Sequence, residues 1–282
     1  MILKSKKCLN VFLITVSVMT ITNCDTSTEP SFEPKLVVNG QLNAGYSIDS
    51  IFVSMTEHIT EIYGNSQVSA ADVKINGIKL KEYWNEPGVY FLDDSTFTVQ
   101  NGESYQLEVE AAGMRVTSTT KVPTPFQFLS PDIQDGDTVQ FFPGDSWVSD
   151  AFFTLIWPNY VNPNVLIFRV LSWAEEAVEI NRIEDDRTLT DILKGEDRYE
   201  QNPSIWWTSS DFPYARINWM YFNYRGWHTI TVSAMDENYY LYRNGILFNE
   251  QRPGEQYNQV IEGGYGLFSS CSSDTIRLFI AE

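Results

Sequence analysis

Cysteine, histidine and basic residues are all scarce in this chain. Three cysteines and two histidines occur in 282 residues, and 19 Lys and Arg stand against 37 Asp and Glu, for a net charge of −18. Cys8, Cys24 and Cys271 are too few to frame a fold with disulfides. No Cys or His cluster has zinc-finger spacing and no His-Glu-x-x-His helix occurs, so no metal site is expected. Also lacking are a Gly-x-Ser-x-Gly elbow and a Gly-rich loop before a Lys-Ser or Lys-Thr pair. No catalytic residues and no cofactor are therefore expected. The acidic balance sets the body against nucleic acid and anionic head groups. The apolar run from about Leu9 to Met19 is roughly half the ~20 residues that a spanning helix needs.

That run is flanked like an export signal. Lys4, Lys6 and Lys7 precede it, and Ile21-Thr22-Asn23-Cys24 and the polar run Asp25 to Pro30 follow. The stretch ending in Cys24 resembles a bacterial lipobox, with Ile21 and Asn23 in place of the usual Leu and Gly or Ala. The resemblance implies cleavage after residue 23 and acylation of Cys24 with palmitate-type chains. Two or more such chains anchor a protein stably. An ordinary signal peptide cut nearby would leave Cys24 incidental. Loss of residues 1–23 removes three lysines and no acid, which takes the net charge from −18 to −21. Lipid contact is then expected through the anchor alone. With Cys24 acylated, Cys271 has no partner and reads as a small buried strand residue.

Residues 24–34 read as a polar linker. From Lys35 to Val122 the pattern has period two, with turns every eight to twelve residues. Seven short strands are predicted, around Leu36–Val38, Ile51–Met55, Val73–Ile75, Ile78–Leu80, Val89–Leu92, Tyr105–Ala111 and Met114–Thr120. Asn76-Gly77 is the strongest hairpin signal, because both residues accept the positive φ of a primed turn. Val122-Pro123-Thr124-Pro125 breaks the pattern, since proline cannot sit in a central strand. The expected fold class is mostly β, with two β-sandwich (Ig-like or transthyretin-like) domains over 35–122 and 126–282. The second is aromatic-rich and has one or two short helices. One helix is placed near Leu189–Lys194 in an excursion over Asp185–Gly195. Another follows Asp236 as N-cap, with Tyr239, Tyr242 and Ile246 at helical spacing and Gly245 as its expected end. Thr275–Ile280 is the predicted last strand. Gly263-Gly264-Tyr265-Gly266 reads as a close approach of backbone to a neighbouring strand.

Asp132, Asp135 and Asp137 fail the calcium-loop template and read as an Asp-Gly turn. Glu184, Asp185 and Asp186 read as a solvated loop. A carboxylate hydrolase would need two acids facing each other across a cleft. The best candidate for ligand binding is the aromatic crowd Trp206, Trp207, Trp219, Tyr221 and Trp227. A strand over Ile217–Tyr224 would carry aromatics on both faces. One face would be covered by the 185–212 excursion, by a ligand or by a partner.

Seven marks occur in order: the lipobox cysteine, Leu36-Val37-Val38-Asn39-Gly40, Gly88-Val89-Tyr90, Gly102-Glu103-Ser104-Tyr105-Gln106-Leu107, Thr119-Thr120-Lys121-Val122-Pro123, Ala234 to Tyr240, and Ile261 to Phe268. Together they resemble a family of Bacteroidetes lipoproteins known as domain of unknown function 4249. Val260-Ile261-Glu262 departs from the family's usual Asn-Ile before the double glycine. The first domain also resembles carboxypeptidase-regulatory or transthyretin-like sandwiches. The resemblance implies an outer-membrane lipoprotein of a kind often encoded beside TonB-dependent β-barrel transporters; with no catalytic motif in the chain, a non-enzymatic accessory or ligand-binding component of such a transport system is expected. Whether it faces the periplasm or the cell surface stays open. The alternative is a glycan-binding surface module that uses the 206–227 aromatics.

Overall fold

The computed structural model describes residues 32–58, 66–125, 127–140, 151–156, 165–173, 199–201, 205–208, 214–222, 225–248 and 260–281. Cys24, the segment before it and the excursion over Asp185–Gly195 with its expected helix lie outside these residues. Lys35–Glu282 is one compact unit. Its strands are β1 (Leu36–Asn43), β2 (Ile51–Met55), β3 (Asp72–Ile75), β4 (Ile78–Lys79), β5 (Lys81–Glu82), β6 (Val89–Phe91), β7 (Ser104–Ala111), β8 (Met114–Lys121), β9 (Thr138–Gln140), β10 (Ala151–Ile156), β11 (Val165–Trp173), β12 (Tyr199–Gln201), β13 (Ile205–Thr208), β14 (Tyr214–Asn218), β15 (Gly226–Met235) and β16 (Tyr265–Ala281). One α-helix is described, α1 (Glu237–Phe248). The mostly β fold expected from the alternating pattern is present.

Three sheets organise these strands. The largest runs β12-β11-β15-β16-β1-β2-β6-β5, with β13 also on β11 and β9 also on β16. A four-stranded sheet runs β4-β3-β7-β8, and β10 pairs with β14. In the first half, Leu36, Val38 and Leu42 of β1 and Ile51 and Val53 of β2 are buried against Val73, Ile75, Leu107, Val109 and Val116 of the smaller sheet. Period-two alternation puts each of these on one face of its strand. Asn76 and Gly77 have φ of 50° and 77°, as a primed turn between β3 and β4 requires. Tyr90 is buried with its hydroxyl satisfied, since it donates to the Val68 carbonyl and accepts from the Ala71 amide, both at 2.8 Å.

A second cluster gathers Phe153 and Leu155 of β10, Ile217 of β14, Phe168 and Val170 of β11, Ile230 and Val232 of β15, and Leu278 and Ile280 of β16. The proline-rich break at Val122–Pro125 falls between the two clusters, with Val122 in the first and Phe128 in the second. The chain then returns, and Ile261 and Phe268 join the first cluster.

That return corrects the last predicted strand, which begins at Tyr265 and not at Thr275. Residues 265–271 pair in parallel with β1, and residues 271–280 pair antiparallel with β15. One strand therefore belongs to both halves of the sheet. Its middle, Ser269-Ser270-Cys271-Ser272, is buried yet small and mostly polar, so it carries no hydrophobic period. The glycines before it allow the junction. Gly266 has φ of +115°, and a Cβ there would collide with the Val38 carbonyl oxygen. A Cβ on Gly263 would meet the Arg115 carbonyl oxygen. The close backbone approach read from this motif is what the structure contains. Glu262 exchanges backbone hydrogen bonds with Thr117 of β8, at 3.1 Å and 2.8 Å.

Candidate functional site

Among the candidate aromatics, Trp219 does not sit in a strand. β14 ends at Asn218, and Trp219–Tyr221 form a 3-10 turn closed by a 2.8 Å bond from the Phe222 amide to the Trp219 carbonyl. The predicted strand over Ile217–Tyr224 is corrected accordingly. A three-residue period replaces the two-residue one, so both Trp219 and Phe222 turn inward. Trp219 is 5% exposed and meets Phe222 edge-on at 6.4 Å. Phe222 in turn packs on Phe153 at 6.0 Å. Tyr221 is half-buried against Phe168 at 5.9 Å.

Trp227 lies on the other face of the sheet. It alternates with buried His228 along β15 and meets Phe279 edge-on at 5.4 Å, while the Arg277 guanidinium stands 4.9 Å from its ring. Trp206 and Trp207 pair through their backbones with Ile167 and Leu166 of β11, and their side chains lie outside the described residues. Trp219, Tyr221 and Trp227 are thus not brought onto one surface. Trp219 belongs to the second core and Tyr221 packs against it, while Trp227 stands outside it.

Four described carboxylates of this half are tied to backbone. Asp132 accepts from the Thr154 amide at 2.7 Å, Asp135 from the Arg277 amide at 2.8 Å and Asp137 from the Gln134 amide at 2.7 Å. The three carboxylates fasten a turn, with Gly136 at φ +85°. Asp236 is the N-cap read from sequence, and its Oδ1 accepts from the Tyr239 amide at 3.1 Å. Its Oδ2 accepts from Thr120 Oγ1 at 2.5 Å, and its own amide donates to the Ser270 carbonyl. Burial pushes its pKa up to about 6. Asn238 Nδ2 donates to the Thr119 and Phe268 carbonyls, both at 2.8 Å. The segment Ala234–Tyr240 therefore clamps α1 onto β8 and β16. The helix continues past Gly245 to Phe248, which corrects its expected end. His228 is wholly buried and held neutral, because burial lowers its pKa to about 4. Its Nδ1 lies 2.9 Å from the Gly226 carbonyl.

Two features lie in the first half, where the sequence offered no candidate. One is Trp84, at 93% exposure the most open large apolar side chain among the described residues. It stands on the turn between β5 and β6. That turn is braced by Tyr83 stacked on Phe91 at 4.2 Å and by the Gly88 amide donating to Glu82 at 2.8 Å. Seven of the eight tryptophans fall at or after Trp147, and Trp84 stands apart from them in the sequence. The signal for it was the turn Glu86-Pro87-Gly88 directly after it.

The other is the open face of the large sheet at β1, β2 and β16. Asn39, Gln41 and Asn43 alternate with the buried Leu36, Val38 and Leu42. They stand beside Phe52 of β2 and Leu267, Ser269 and Cys271 of β16. A shallow depression of about 310 Å³ lies there. Cys271, only 2% exposed, donates to Asn43 Oδ1 at 3.0 Å and accepts from Gln41 Nε2 at 3.4 Å. Burial raises its pKa, which favours the thiol form. The alternating amides of β1 were visible in the sequence. Their partners, more than two hundred residues away, were not.

The chain belongs to the family described as "Domain of unknown function (DUF4249)", which it matches over residues 21–277. No curated protein matches it. Among solved structures, an anomalous substructure of titin overlaps 89% of this chain and all of its own, at 11% identity and a TM-score of 0.20. The Escherichia coli alpha-2-macroglobulin activated by porcine elastase overlaps 88% of this chain and 23% of its own, at 8% identity and a TM-score of 0.21.

Proposed function

We propose that this chain is a non-enzymatic outer-membrane lipoprotein of Bacteroidetes, anchored through acylated Cys24, that serves as an accessory component of a TonB-dependent transport system. Its first sandwich is read as carboxypeptidase-regulatory or transthyretin-like. Trp84 carries the reading of a docking protein. Tryptophan is enriched among the residues that dominate protein interfaces, and here the ring is offered to solvent on a braced hairpin. The non-enzymatic part is supported by Asp132, Asp135, Asp137 and Asp236, whose carboxylates are engaged with backbone amides.

The test is an affinity pull-down of the tagged full chain from gently solubilised outer membrane, read by mass spectrometry. A β-barrel transporter in stoichiometric amount with the wild type, and much reduced with Trp84→Ala, is the expected result. A chain that comes out alone would refute the accessory role. Cys24→Ser is expected to move the protein from the membrane to the soluble fraction.

A further inference from the structure

We infer that the depression between β1, β2 and β16 is a binding site for a neutral hydroxyl-rich ligand, a sugar ring. Its lining carries amides, hydroxyls and one aromatic ring, and no ionisable side chain. That neutrality is distinctive in a chain of net charge −18. An anion would meet no cation here and an unfavourable field around it. A cation would find no carboxylate in the lining.

The polar groups are arranged in advance by their neighbours. Asn39 Oδ1 is occupied by the Leu267 amide at 3.2 Å, which leaves its Nδ2 as a donor. Asn43 Oδ1 accepts from both Gln41 Nε2 at 2.9 Å and Cys271 Sγ at 3.0 Å, which leaves its Nδ2 as a second donor. Gln41 Nε2 is committed to Asn43 and Cys271, so its Oε1 is the acceptor it can offer. The buried thiol thus orients two amides. Ser50 and Ser269 add hydroxyls that both donate and accept. A fixed array of mixed donors and acceptors matches sugar hydroxyls, each of which also does both.

Two further observations point to a ligand. Ser269 is 0% exposed and its Oγ has no hydrogen-bond partner, although it lines the depression. A buried hydroxyl without a partner is costly, and a ligand hydroxyl would relieve that cost. Phe52 stands 50% exposed on the same face, opposite Asn39 in the β1–β2 pair. Its ring supplies the flat apolar surface on which the C–H face of a sugar stacks. The volume of about 310 Å³ is at the lower end of small-ligand sites, as suits one or two rings. Neither Trp84 nor Trp219, Tyr221 or Trp227 is among the residues that line it, and the site does not depend on the transporter reading.

Saturation-transfer NMR on the full chain in mild detergent tests it, with glucose, galactose, mannose and N-acetylglucosamine as probes. At least one sugar is expected to receive transfer. Its Kd should rise about tenfold or more in Gln41→Ala and in Phe52→Ala. Both changes are at exposed side chains, and circular dichroism checks that the variants are folded. Trp84→Ala should leave the Kd unchanged, which separates this site from the proposed docking point. Absence of transfer to all four sugars, or transfer that persists undiminished in both β1–β2 variants, would overturn the proposal.

Discussion

In residues 35–122 the pairings are mostly between near neighbours. β3 and β4 are joined by Asn76-Gly77, and β7 and β8 by Ala112-Gly113. In residues 126–282 the pairings reach far along the chain. β10 finds β14, β11 finds β15, and β15 reaches across α1 to β16. The first half buries mainly aliphatic side chains between two sheets, whereas the second buries Phe153, Phe168, Trp219 and Phe222. Local pairing lets each strand announce itself through its own turn. Distant pairing leaves the identity of the partner strand to tertiary packing. β16 joins the two regimes, because one strand serves β1 in parallel and β15 antiparallel.

The sharpest way to break that join is Gly266→Val. A branched side chain at φ +115° and against the Val38 carbonyl should cost on the order of 5 kcal/mol. Urea melts should show both halves weakened together. If near-UV signals of the two regions lost cooperativity and only one moved, the halves would be independent.

Core truncations probe each side separately. Phe168→Ala in the second cluster should cost about 3–5 kcal/mol, and Leu107→Ala in the first about 2–5 kcal/mol. Both side chains are fully buried. A shared transition requires both variants to lower the same urea midpoint. Two separable midpoints would make β16 a tether rather than a common strand.

Between pH 4 and 6.5 the second half holds two opposed titrating groups. His228, with its pKa lowered from 6.5 to about 4, contributes stability above pH 6.5 that is lost as pH falls through 4. Asp236, raised from 3.8 to about 6, contributes stability below pH 3.8 that is lost as pH rises through 6. The two partly cancel between pH 4 and 6. His228→Phe should leave a protein that gains stability on acidification across that window, and Asp236→Asn one that loses it. Chemical melts at successive pH values read both slopes. Identical profiles for the two variants would contradict the assignment.

The smallest effect is expected at Trp84. Trp84→Ala should change stability by no more than about 0.5 kcal/mol, since the ring is open to solvent. A larger loss in a thermal melt would show that the ring packs within the fold rather than serving a partner.

The first-half strands were legible because alternation, Asn-Gly and Gly-bounded turns all agree along a short stretch. Ile230, Val232 and the Asp236 cap were legible for the same reason. The run from Trp219 to Phe222 was not, because aromatic residues suit a strand as well as a 3-10 turn, and only the packing of Phe222 on Phe153 and His228 selects the turn. The length of β16 was hidden by its serines, which are buried by neighbours from both halves rather than by their own hydrophobicity. The neutral depression was half visible. The amides of β1 stand in the sequence at alternate positions, while Ser269 and Cys271 reach them only through the parallel pairing.

By itself, the sequence determined the β character, the turns that divide the first half, the N-cap of α1 and the close approach at Gly263–Gly266. These depend on φ preferences, side-chain alternation and capping, which act over a few residues. Tertiary structure alone decided which strand lies beside which, that Trp219 is core and Trp84 is surface, and that a thiol from one end of the chain orients amides from the other. Those outcomes follow from burial shared between distant segments, which no local pattern encodes.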